Sequence, residues 1–127
     1  MIKRIYSVRG ATTVEADSAR AIGERSVELL SEIIRRNGIG GDRRFVHIIF
    51  STTDDITAAY PATAVRLAGL TDAPLFSCKE PSVKGALGMC VRILAEIADY
   101  GDGDAPAEHV YLHGAAALRK DLTEKSK

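Results

Sequence analysis

The sequence predicts a small α/β (α+β) protein, a mixed β-sheet packed with helices in the order β-α-β-α-β-α-β. Three observations carry this. Residues 2–8 alternate Ile2, Arg4, Tyr6 and Val8 against Lys3, Ile5 and Ser7, the period of a strand. Phe45-Val46-His47-Ile48-Ile49-Phe50-Ser51 is almost continuously apolar, as a strand buried on both faces is. Between them Ile22, Leu29 or Leu30, Ile33 and Ile34 recur at helical spacing, and such alternation of strands and helices places helices against a mixed or parallel sheet.

The first strand runs to Val8 and leaves Arg9 at its end. Thr12-Thr13-Val14-Glu15 has the S/T-x-x-E form of a capping box, with Asp17 and Ser18 as alternative caps for the long helix that follows. Asn37-Gly38 stops that helix, and Gly40-Gly41-Asp42 is loop. After the central apolar strand, Thr52-Thr53-Asp54-Asp55 reads as a turn. Pro61 opens a short helix to Leu67 or Ala68 that closes at Gly69. Leu75-Phe76-Ser77-Cys78 is a short strand and residues 79–84 a loop containing Pro81. The spacing of Leu87, Val91, Leu94 and Ile97 predicts a third helix. Residues 101–106 form a link, residues 109–118 a last strand, and residues 121–127 a charged tail.

A length of 127 residues fits one domain over 1–127, with a C-terminal tail from about 119. Seventeen basic and 17 acidic residues balance to zero net charge, so nothing global points to nucleic acid or an anionic membrane. No apolar run approaches the ~18 residues of a membrane span, and the N-terminus lacks the apolar core of a signal peptide. Cys78 and Cys90 have no CxxC partner and read as reduced thiols. A cytoplasmic protein is expected.

Phosphate-binding loops of the GxGxxG or GxxxxGK[ST] kind are absent. His47, His109 and His113 lack metal-ligand spacing, and no G-x-S-x-G elbow supports a serine hydrolase. Either cysteine could act as a nucleophile in principle, although Cys90 sits among apolar residues as a core cysteine does. What remains is arginine near element ends: Arg9, Arg66 and Arg119, with Arg92 inside the expected third helix. Singly, each reads as solvated surface or as a carboxylate clamp. Arg92, crowded by Val91, Ile93 and Leu94, calls for a partner.

An ordered series of motifs resembles the AroH-type (Bacillus-type, monofunctional) chorismate mutase family. It runs Arg9-Gly10-Ala11-Thr12-Thr13-Val14-Glu15, then Tyr60-Pro61-Ala62-x-Ala64-Val65-Arg66, then Cys78 with Glu80. Cys90-Val91-Arg92, Val110-Tyr111-Leu112 and Leu118-Arg119-x-Asp121-Leu122 complete it. The resemblance implies a cytoplasmic homotrimer with active sites between subunits, forming a pseudo-α/β-barrel, with no cofactor and no metal. It implies rearrangement of chorismate to prephenate in phenylalanine and tyrosine biosynthesis. By resemblance Arg92 and Glu80 are catalytic: Arg92 faces the ether oxygen and Glu80 accepts from the ring hydroxyl. Arg9 binds a carboxylate and Tyr111 supplies a hydroxyl. Tyr60, Ala62, Arg66, Ser77 and Cys78 come from the adjacent subunit, and Leu118 and Arg119 belong to a covering C-terminal segment.

The chain departs from the family pattern in three places. Glu80 follows the cysteine by two residues instead of three, and the stretch from Cys78 to Arg92 is one residue shorter. Thr63 stands where the family usually has lysine, and Tyr60 where it has phenylalanine. These departures leave two alternatives: a relative that makes another product from chorismate, or a non-catalytic trimeric module that binds small carboxylates.

Overall fold

Strand β4 (Cys90–Asp99) occupies the middle of the sheet. It pairs antiparallel with β1 (Arg4–Thr13) on one side and with β2 (Arg43–Thr52) on the other. The edges are β3 (Leu75–Lys79), parallel to β2, and the short β5 (Val110–Tyr111), parallel to β1. The sheet order is therefore β3-β2-β4-β1-β5. Helices α1 (Ala19–Asn37) and α2 (Pro61–Leu67) pack on one face. These are features of a computed structural model that describes residues 1–120. The tail expected over 121–127, with Asp121 and Leu122 of the last motif, lies outside the described residues.

The core follows from strand alternation. Val8 on β1, Ile48 and Phe50 on β2, and Val91, Ile93, Ala95 and Ile97 on β4 point toward the helices and are buried. They meet Ile22, Leu29, Leu30 and Ile33 from α1 and Val65 from α2. Among the described residues the opposite face carries no α-helix, only the short 3-10 turn at His113–Ala115, whose Ala115 packs with Ala11 and Cys90. There Ile5, Phe76 and Leu94 are 55%, 66% and 41% exposed.

Several sequence expectations hold. Helix α1 starts from Ser18, whose hydroxyl accepts the Ala21 N–H at 3.1 Å, and stops at Gly38 in the left-handed region. Pro61 opens α2, where a missing N–H costs nothing. Three others are corrected. The third helix expected over Leu87–Ile97 is β4. Val91, Ile93, Ala95 and Ile97 alternate with Arg92, Leu94 and Glu96 on the other face, and Leu94 completes with Val91 and Ile97 a run that mimics helical spacing while the true period is two. The element order is thus β-α-β-α-β-β-β. Strand one does not end at Arg9 but runs to Thr13, because Gly10, Ala11 and Thr12 keep pairing with Ile93, Arg92 and Val91. Thr12 and Glu15 accordingly form no capping box. The last strand is only Val110–Tyr111; a 3-10 turn at His113–Ala115 follows, held where Thr13 Oγ1 accepts the Gly114 N–H at 2.9 Å.

The far end of the sheet is closed by Asp99, buried at 2% exposure. Its carboxylate accepts from Gly101 N–H at 2.9 Å and from Arg43 Nε at 3.2 Å, and Arg4 lies at 3.5 Å. The Gly101 N–H, then the Arg43 and Arg4 guanidiniums, hold this carboxyl below its ordinary 3.8 against the opposing effect of burial. Because the folded state lowers the value, the stabilisation is complete above about pH 3.8 and is lost as pH falls through the lower folded value. Urea midpoints measured from pH 6 down to pH 2 should therefore decline in this acid window, and Asp99→Asn should flatten that part of the decline.

Candidate active site

On the helix-free face, one row of residues crosses all five strands in register. Cys78 on β3 pairs with Ser51 on β2, Ser51 with Arg92 on β4, Arg92 with Ala11 on β1, and Ala11 with Tyr111 on β5. Ser51 lines the cleft beside the Arg92 guanidinium, whereas Ala11 on the other side is fully buried against Cys90 and Ala115. The adjacent row carries Ile49, Leu94 and Arg9. Together with residues 79–81 these rows, Ala11 excepted, line an open cleft of about 420 Å³.

Glu80 closes one side of the cleft. Its N–H donates to Thr52 O at 2.9 Å, which extends the β2–β3 pairing by one residue. The Ser51 hydroxyl donates to Glu80 Oε1, and the same oxygen lies 3.5 Å from Arg92 Nε. The partner that Arg92 calls for is thus Glu80, delivered from another strand. Both side chains remain partly accessible, 33% for Arg92 and 24% for Glu80, so the pair faces the cleft and is not sealed in the core. Despite the short stretch after Cys78, the carboxylate reaches the central arginine.

Arg9 is exposed in mid-strand, beside Leu94. Its backbone N–H donates to His109 Nδ1 at 2.9 Å. Tyr111 reaches the row because β5 is stitched to the end of α1. The Asn37 amide donates to Glu108 O and accepts the Glu108 N–H, both at 2.9 Å. Leu118 packs beside Tyr111, Ala11 and Cys90, and Arg119 follows it at the surface with φ 48°.

The remaining predicted residues lie elsewhere. A second cavity of about 530 Å³ is lined by Tyr60 and Ser77, and Cys78 and Lys79 border both spaces. Arg66 is exposed on α2, whereas Ala62 is 8% exposed and belongs to the core. Within one chain, then, Arg9, Glu80, Arg92 and Tyr111 converge, and Tyr60, Ala62 and Arg66 do not join them.

The sequence model of the chorismate mutase type I family matches residues 5–122. This chain belongs to that family. The chorismate mutase AroH of Thermus thermophilus is 39% identical over 121 residues, covering 93% of this chain and 96% of that protein. The chorismate mutase AroH of Bacillus subtilis strain 168 is 36% identical over 123 residues, covering 94% and 93%. A solved chorismate mutase from Clostridium thermocellum superposes with a TM-score of 0.79 at 38% identity, covering 89% of this chain and 99% of that one. The chain is accordingly an enzyme of the isomerase class.

For a chorismate mutase type I chain, the groups that sequence reading missed are supporting ones: Ser51, Asp54, Asp55 and His109. Ser51 closes an apolar strand and Asp54-Asp55 follows as an ordinary turn, so only the tertiary pairing reveals them. Burial pushes the Cys90 thiol up, against the pull of nearby Arg92, which leaves it a core thiol. Cys78 is exposed on the edge strand, its Sγ 3.6 Å from Phe50 O. Among the described residues no group of three or more His, Cys, Asp or Glu side chains is placed to hold a metal ion.

Gly10 links this site to the core. A Cβ there would lie 2.9 Å from Ile33 Cδ1 and 3.2 Å from Val110 O. Gly10→Ala should therefore destabilise the protein by about 1–3 kcal/mol in urea titration. It should also displace β5 and Tyr111, lowering turnover more than the thermal shift alone predicts.

Proposed function

We propose that this chain rearranges chorismate to prephenate in the cleft between Arg9 and Arg92. On this reading residues 1–127 act as one domain of a cytoplasmic homotrimer that uses no cofactor and serves aromatic amino acid biosynthesis. The observation that carries it is the row across the sheet: a guanidinium at its centre, steadied by Glu80, with a second guanidinium one row away.

The chemistry matches that equipment. Chorismate is a flexible dianion. In one concerted step its ether C–O bond breaks while a C–C bond forms, so no external nucleophile or proton transfer is needed. A catalyst must hold the compact conformer and stabilise charge growing on the departing ether oxygen. Arg9 takes a carboxylate, where a planar, permanently charged fork suits two oxygens. Arg92 presents donors to the ether oxygen. Glu80 accepts from the ring hydroxyl while aligning Arg92, and Tyr111 donates its hydroxyl to the ligand. Leu118 and Arg119 cover the site from the C-terminal side.

Two observations support a shared site. Ile5, Phe76 and Leu94 expose apolar surface on the helix-free face, the kind of surface that association buries. The candidate groups also divide between two cavities on either side of β3. An adjacent subunit would complete the cleft with Tyr60, Arg66, Ser77 and Cys78, and Ala62 would seat α2 behind them. Thr63 supplies no cation there. Among the described residues no helix is long and apolar enough to cross a membrane.

Purified protein incubated with chorismate should form prephenate well above the uncatalysed rate; no acceleration would overturn the reading. Arg92→Ala should lower kcat by about 10²–10³ with circular dichroism unchanged, and an unchanged kcat would refute its assigned role. Light scattering should give about three times the 13.6 kDa chain mass; a monomer would remove the shared site.

A further inference from the structure

The ten residues 80–89 between β3 and β4 are tethered at both ends to one short turn, Thr53-Asp54-Asp55, directly after β2. At the near end, a single carboxylate straddles Glu80-Pro81. Asp54 Oδ1 lies 3.2 Å from Lys79 Nζ, and Asp54 Oδ2 accepts from the Ser82 hydroxyl. At the far end both Asp55 oxygens accept the Met89 N–H, at 3.0 and 2.9 Å, and Thr53 Oγ1 accepts the Cys90 N–H at 3.0 Å. Gly88 permits this approach, since a Cβ there would stand 2.7 Å from Asp55 Oδ2. The tethers are electrostatic as well as geometric. The Ser82 hydroxyl and then Lys79 hold the Asp54 carboxyl below its ordinary value, and the Thr53 hydroxyl and then the Met89 N–H do so for Asp55.

We propose that Asp54 is a positioning residue for Glu80, tying together the Lys79 and Ser82 side chains that flank Glu80-Pro81 so that the Glu80 carboxylate stays against Arg92. The reason is local. Beyond its N–H bond to Thr52 O, Glu80 leaves the sheet ladder, and the chain next turns through Pro81 to Val83, whose N–H donates to Pro81 O at 3.0 Å. The ladder already holds Lys79 against Thr52, so the Ser82 tie is what keeps the turn beyond Glu80 from tilting about the Thr52 bond, and a tilt there is magnified at the end of a glutamate side chain. Asp54 lines neither the cleft nor the second cavity; it borders a separate space of about 380 Å³ beneath residues 80–88, which it shares with Glu80, and it reaches the cleft only through Glu80. The consequence for catalysis rests on the chorismate mutase reading above; the mechanical link does not.

The test is a double-mutant cycle. Asp54→Ala should lower kcat/KM for chorismate by about 10-fold in the wild-type background, the scale of a displaced contact group. In a Glu80→Gln background the same change should cost less than about twofold, because coupled residues are non-additive. Asp54→Asn, which keeps an acceptor for Ser82 but loses the Lys79 ion pair, should fall between. Equal losses in both backgrounds would overturn the proposal by showing a merely structural role. A readout without substrate separates this from the function itself. Amide exchange at Glu80 and Val83 should accelerate about 10-fold in Asp54→Ala while Ile48 and Val91 stay protected, and unchanged exchange overturns the link. If the wild type shows no chorismate turnover, the functional reading falls and the exchange comparison still decides whether Asp54 holds Glu80.

Discussion

The pairing of β4 with both β1 and β2 is the constraint on which the rest depends. Two antiparallel ladders leave this strand no rotational freedom, so alternate side chains must go to opposite faces. Val91, Ile93, Ala95 and Ile97 enter the core, and Arg92 is thereby committed to the helix-free face. A one-residue slip would bury its guanidinium among α1 side chains and expose the aliphatic set. The hydrophobic effect that fixes the register is therefore the force that aims the central cation.

Around that cation, the sheet supplies space and the loops supply charge. Ser51, a small residue on β2, lines the cleft beside the guanidinium, while Ala11 on β1 is buried beneath Ala115. Glu80 arrives from beyond β3, and Tyr111 from a two-residue strand anchored by Asn37. An ion pair that is one-quarter to one-third accessible keeps enough hydration to avoid the full desolvation cost of burial. It still restricts the side chain to a few orientations. This is a suitable compromise for a group that must be ready for a charge developing on a ligand.

The fold was legible where local physical chemistry is strong. The Gly38 stop of α1, the proline opening α2 and the existence of β2 are decided by neighbours in sequence and match the structure; β2, however, buries only its Ile48 and Phe50 face, and α1 starts at the alternative cap Ser18 instead of the Thr12–Glu15 box. The residues at 87, 91, 94 and 97 read as a helix because Leu94, half-exposed on the face opposite Val91 and Ile97, supplies the apolar residue that helical spacing needs. Arg9 reads as a strand end because Gly10 and Ala11 have weak strand propensity; long-range pairing with β4 and β5 overrides it. Arg92 could be recognised as needing a partner, but its sequence neighbours could not say which. Ser51 and the Asp54-Asp55 turn gave no signal, since their importance lies in what they face.

By itself, then, the sequence determined the residue types: arginines suited to a dianion, a tyrosine, a glutamate after an edge strand, and a motif order specific enough to indicate the family. It also determined the Gly38 stop of α1, the start of α2 and the strongest strand, since glycine stops, prolines and apolar runs act over a few residues. Only the tertiary structure decided that Arg92 stands at the centre of a five-strand row, that Glu80 reaches it across a shortened connection, and that Tyr60 and Arg66 lie apart from them in one chain. The reason is that side-chain direction on a sheet is set by register, and register is a property of strands brought together from distant parts of the chain.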